Sequence, residues 1–77
     1  MADTRNNGTG GGFAEALREL RQEKGLSQED LADEAGLHRT YISQIERGIK
    51  SPSLRSLEQI ARALNVQLST LIKRMEN

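Results

Sequence analysis

A chain of 77 residues has room for one small domain, whose limited core supports a stability of only a few kcal/mol. It has no cysteine and a single histidine, which excludes disulfides, iron–sulfur clusters, cysteine-based zinc sites, thiol catalysis and His-rich metal sites. Eleven Lys and Arg offset eleven Asp and Glu, so the formal net charge is zero, and a surface for a polyanion requires those charges to be unevenly placed.

The chain opens with MADTRNNGTGGG. This polar, glycine-rich stretch has no periodic apolar residues and cannot repay the entropy of ordering, so a flexible tail over residues 1–12 is expected. From Phe13 the pattern turns helical. Phe13, Leu17 and Leu20 fall on one face, and Gly25 suits the left-handed position that ends helices. The spacing predicts a first helix over 13–24. Ser27 with Asp30 three residues later is a capping-box signal. Leu31, Ala32 and Ala35 follow on one face, and Gly36 ends a short second helix. Leu37 is expected as a buried link. A third helix is predicted over 38–47, with Ile42 and Ile45 inward and Gly48 at its end. Ser51, Pro52 and Ser53 read as a loop and an N-cap. A fourth helix over 54–64 places Leu54, Leu57, Ile60, Ala61 and Leu64 at helical spacing, and Asn65 is a credible left-handed cap. Val66 and Leu68 begin a fifth helix that carries Leu71, Ile72 and Met75. No segment alternates with a period of two, so the class is all-α, with one five-helix domain over 13–77. No apolar run approaches the ~20 residues of a membrane span. The polar N-terminus lacks the apolar region of a secretory signal. A cytoplasmic location is expected.

The second and third helices carry more than periodicity. A helix-turn-helix needs a tight turn from which its second helix projects, and that geometry dictates residue types along the unit. Counting Gln28 as the first position, the fifth must be small where the helices cross, and it is Ala32. The ninth sits in the turn, favours a positive φ, and is Gly36. The positions that must be buried hold Leu31, Ala35, Leu37, Ile42 and Ile45. The joint match identifies a helix-turn-helix over these residues.

The run GLSQEDLADEAGLHRTYISQIERG resembles the Cro/repressor-type (Xre) helix-turn-helix family, and PSLRSLEQIARALNV matches that family's fourth helix. The resemblance spans roughly Phe13 to Ile72. It implies a compact, lambda-repressor-like five-helix DNA-binding domain. It also implies a sequence-specific transcriptional regulator of double-stranded DNA, acting as a homodimer on a palindromic operator. The stretch HRTYISQIERG also resembles the controller proteins of restriction–modification systems, which are small dimeric regulators of that kind.

Recognition helices insert their N-terminal residues into the major groove. With Ile42 and Ile45 inward, the outward stripe is His38, Arg39, Thr40, Ser43, Gln44 and Arg47. Arg39 has the chemistry to bridge guanine O6 and N7, and Thr40 offers a hydroxyl and a methyl. Ser43 and Gln44 stand one turn on. The resemblance places base contacts at Arg39, Thr40, Ser43 and Gln44. His38 suits a surface or capping role better than a base contact. Tyr41 suits either packing under the loop after the third helix or a hydroxyl on a phosphate. The candidates for phosphate contact are Gln28 at a helix start, Arg47, Lys50, Ser51 and Arg18; Arg5 in the tail is a further one. The acids Glu29, Asp30, Asp33 and Glu34 of the second helix should face away from the groove. They suit a solvated face, or a partner such as RNA polymerase.

The resemblance further implies an ion pair between Glu46 and Arg21. Leu68, Leu71, Ile72 and Met75 exceed what the monomer core needs and are expected at the dimer interface, unless that stripe simply closes the core. One departure from the family is Gln67, where the resemblance leads one to expect a Ser or Thr N-cap. No nucleophile–base set, metal set or phosphate loop is present, so neither an enzyme nor a cofactor is expected. The competing reading is a protein-interaction module of the same fold. The polar, cationic stripe of the third helix favours DNA over that alternative.

Overall fold

The computed structural model describes residues 11–75, apart from the Met75 side chain; the expected tail contact at Arg5 lies outside the described residues. The elements are α1 (Gly11–Glu23), α2 (Gln28–Ala35), α3 (Arg39–Glu46), α4 (Leu54–Ala63) and α5 (Leu68–Met75). Every element among the described residues is helical.

Helix α1 starts two residues before the expected Phe13, so Gly11 and Gly12 belong to it and not to the tail. The first turn of a helix makes no intrahelical bonds through its own N–H groups, so glycine there removes little. The anchors are Phe13, Leu17 and Leu20, all buried. Lys24 falls in the turn after the helix. There the Gly25 N–H donates to the Gln22 carbonyl at 3.0 Å and the Leu26 N–H to the Arg21 carbonyl at 3.1 Å. These close the helix end as a left-handed C-terminal cap does.

The core is built from Leu17, Leu31, Ile42, Ile45, Ile60 and Leu71 of the five helices and Leu64, the C-cap of α4, all fully buried. Each such side chain removed from water contributes about 1.5–3 kcal/mol. Helix α1 packs on α3 and α5, α2 packs on α3 and α4, and α4 packs on α5. Leu37, expected as a buried link, is half-buried and packs against the core from the side.

Two apolar residues depart from their expected places. Leu54 was expected on the inward face of α4 but is 62 % exposed. The buried face of that helix centres on Ile60 and Leu64 and includes Ser56, which leaves Leu54 to one side in the first turn. Leu71, expected at the dimer interface, is 0 % exposed and belongs to the monomer core. It lies on the inner face of α5, the helix packed on α1 and α4. Ile72, the next residue, turns outward.

An exposed fork also ties α5 to α1. Arg74 Nη1 and Nη2 donate to Glu23 Oε2 and Oε1 at 3.2 and 3.1 Å. The Glu23 carboxylate, through those hydrogen bonds and its charge, raises the Arg74 pKa further. No helix among the described residues is long and apolar enough to cross a membrane.

Candidate nucleic-acid interface

Helix α2 is set at its start by Ser27. Ser27 Oγ accepts from the Asp30 N–H at 2.9 Å, and Asp30 Oδ2 accepts from the Ser27 N–H at 3.0 Å. The box satisfies two donors that the helix would otherwise leave open. It also holds the exposed Asp30 carboxyl below its ordinary pKa, chiefly through the Ser27 backbone N–H and then through its hydroxyl.

At the other end Gly36 takes φ 72°, ψ 32°, a left-handed conformation that an L side chain adopts only with strain. The Leu37 N–H then donates back to the Ala32 carbonyl at 2.9 Å. His38 is extended and forms the N-cap of α3, with no side-chain capping bond. Helix α3 therefore starts one residue later than expected, and it ends at Glu46 with Arg47 as its C-cap.

The start of α3 presents His38, Arg39 and Thr40, all exposed. Ser43 and Gln44, one turn on, are half-buried. Arg47, Lys50 and Ser51 are exposed beyond the helix. Glu46, the one acid between His38 and Lys50, turns inward and is only 4 % exposed.

A buried polar hub holds that acid. Arg21 Nε donates to Glu46 Oε2 at 2.6 Å and Arg21 Nη2 to Glu46 Oε1 at 3.1 Å. Arg21 Nη1 reaches the Leu26 carbonyl at 2.8 Å. Gln28 Nε2 completes the set by donating to Glu46 Oε1 at 3.1 Å. The forked guanidinium matches the carboxylate geometry and neutralises it. The outward face from His38 to Lys50 is left with cations alone, although the whole chain carries no net charge.

A helix-turn-helix family model matches residues 17–71. The chain belongs to the Cro/repressor-type helix-turn-helix family. It is 49% identical over 61 residues to the control protein C.BamHI of Bacillus amyloliquefaciens, across 78% of this chain and 75% of that one. It is 44% identical over 62 residues to the control protein C.SmaI of Serratia marcescens, across 80% and 74% of the two chains. Among solved structures, the restriction–modification controller protein C.AhdI from Aeromonas hydrophila superposes with a TM-score of 0.78 at 44% identity, covering 80% of this chain and 94% of that one. Membership of this family makes the protein a transcriptional regulator that binds double-stranded DNA.

Within this helix-turn-helix regulator, the expected site residues divide into three groups. Arg39 and Thr40 come together at the exposed start of α3, with Ser43 and Gln44 behind them. Arg47, Lys50 and Ser51 gather where α3 gives way to the loop, and Arg18 stands exposed on α1. Two expected phosphate ligands are otherwise occupied. The Gln28 amide donates to Glu46, because the start of α2 lies over the end of α3 and that carboxylate has a lone pair to fill. The Tyr41 hydroxyl donates to Ser56 Oγ at 3.2 Å, which is the packing alternative for that residue.

Sequence reasoning missed two polar residues of α4. Ser56, 8 % exposed, receives the Tyr41 hydroxyl and also accepts from Ser53 Oγ at 3.0 Å. Gln59 Nε2 donates to the Ala35 carbonyl at 3.0 Å. The only sequence signal was two small or amide-bearing residues three apart beside the apolar stripe of α4, which any amphipathic helix can show.

Proposed function

We propose that two copies of the chain bind a palindromic operator, each placing α3 in the major groove. Arg39, Thr40, Ser43 and Gln44 read base edges there, and Arg47, Lys50 and Ser51 hold phosphates. Arg18 flanks the same surface, while Gln28 and Tyr41 support it from behind. The observation that carries this reading is the exposed Arg39–Thr40 pair at the start of α3, projected by the Gly36 turn and backed by cations while Glu46 is turned inward. Its polar, cationic character suits a groove and not a protein surface. The names of its relatives, control proteins and a restriction–modification controller protein, support a regulator of that type.

One recognition helix buries too little surface for high specificity, and two-fold pairing reads half-sites about 34 Å apart. The interface proposed for this is the outer side of α5, where Ile72 is exposed and Leu68 is half-buried, with Met75 one turn on.

The test is Arg39→Ala set against Arg47→Ala, on duplexes selected from a random pool and their single-base variants. Arg39→Ala should lose about 1–3 kcal/mol of discrimination. Arg47→Ala should weaken every duplex alike and flatten the salt dependence. Equal effects of both substitutions on all duplexes would refute the division of roles.

A further inference from the structure

The helix that reads DNA must keep a fixed angle to the body, because base contacts tolerate little misplacement. Helix α3 is buried chiefly against α1 and α2, and α4 is buried against α2 and α5. The backbones of α3 and α4 approach each other at few points, so side chains span the gap between them. Helix α4 sends two polar side chains from one face onto the two sides of the turn between α2 and α3.

Gln59, half-buried, donates its amide to the carbonyl of Ala35, the last residue of α2. That carbonyl lies at the helix end, where it has no intrahelical partner. The same amide nitrogen stands 3.6 Å from where a Cβ on Gly36 would lie, so it rests against the turn itself. Three residues earlier, Ser56 accepts the hydroxyl of Tyr41 from the first turns of α3. Ser56 is itself fixed, since its N–H donates to Ser53 Oγ at 3.1 Å and Ser53 Oγ donates to its hydroxyl oxygen. Positions three apart on a helix share a face. One face of α4 thus grips α2 just before the turn and α3 just after it.

We infer that Gln59 and Ser56 are positioning residues for DNA recognition: they set the angle at which α3 leaves the turn, and so govern sequence discrimination without touching DNA. The inference rests on the reading of α3 as the recognition helix. Hydrogen bonds are directional where apolar contacts are not. With Ile42 and Ile45 anchoring α3 in the core, a small tilt of the helix about that anchor displaces Arg39 and Thr40 at its exposed start. Such a tilt harms base contacts more than phosphate contacts, which long cationic side chains follow.

The experiment uses the full chain with Gln59→Met, which keeps length but removes the donor, and Ser56→Ala, which removes the acceptor without altering a DNA-facing residue. Each is measured against the preferred duplex and a scrambled one, below the melting transition recorded for that variant. Each variant should bind the preferred duplex about 3- to 10-fold more weakly, the loss of one hydrogen bond, and the scrambled duplex unchanged. Gln59→Lys, which returns a donor at similar reach, should recover part of the lost ratio. An unchanged ratio in both variants, or equal losses on both duplexes, overturns the inference. Arg39→Ala in the same series keeps the two claims apart. If it collapses the ratio while the α4 variants do not, the recognition helix stands and the brace falls.

Discussion

Helix α2 begins with Ser27 and Asp30 capping each other, whereas α5 begins after Gln67, whose amide oxygen meets Ser69 Oγ at 3.4 Å. Helices α2 and α3 are joined through a left-handed Gly36 and a buried hub of Arg21, Glu46 and Gln28. The polar tie of α5 to the body is the exposed fork from Arg74 to Glu23, and its apolar contact comes from buried Leu71 and half-buried Leu68. This small domain concentrates its polar bracing in the helix-turn-helix. The unit proposed to read DNA is held by part-buried hydrogen bonds that converge on Glu46 and on the turn. The helix proposed to pair with a second copy is held by Leu71 in the core, by half-buried Leu68 beside it and by solvent-screened charges, while Ile72 faces outward.

The contrast is most strongly broken at the hub. Glu46→Ala strands the Arg21 guanidinium in a buried site, and Arg21→Ala strands the carboxylate. Either should cost about 3–5 kcal/mol and lower the melting temperature well before sequence preference changes. Arg74→Ala, at an exposed pair, should shift melting far less. Unchanged melting of the Glu46 variant with weakened DNA binding would show that the hub serves the DNA contact and not the fold.

A smaller effect tests the other side. Gln67→Ser offers α5 a good N-cap and should stabilise it by up to ~1 kcal/mol. Amide exchange should slow across Leu68 to Leu71 and stay unchanged across Ser27 to Leu31. Equal slowing in both would mean that α5 does not open separately.

The smallest effect concerns pH. The folded state holds the Asp30 carboxyl below its ordinary value near 3.8, so folding favours the ionised form. Its contribution is then fully present above that value and is lost as pH falls through the lowered folded value. Asp30→Asn should remove this part of the acid-side slope in denaturant unfolding measured from about pH 2 to 5. Parallel profiles for the two proteins would show that the box adds no pH-linked stability.

Much of this was readable in advance because it depends on neighbours along the chain. The Ser27 box, the Gly36 turn and the Asn65 cap, at φ 60°, each need residues within a few positions. Leu54 and Leu71 were misplaced because periodicity gives the apolar stripe but not which of its edges meets another helix. Gln28 was expected on a phosphate because a helix start favours anions. The carboxylate that occupies its amide comes from 18 residues away.

The all-α class, the five helices and the cationic stripe of α3 follow from residue spacing and backbone preference over short stretches of the chain. The packing of distant helices settled that Gln28 closes on Glu46, that Leu71 belongs to the core while Ile72 does not, and that Ser56 and Gln59 reach the turn from α4. Those outcomes depend on which side chains meet across helices distant in sequence, and burial and hydrogen-bond satisfaction there select among arrangements that local pattern leaves equal.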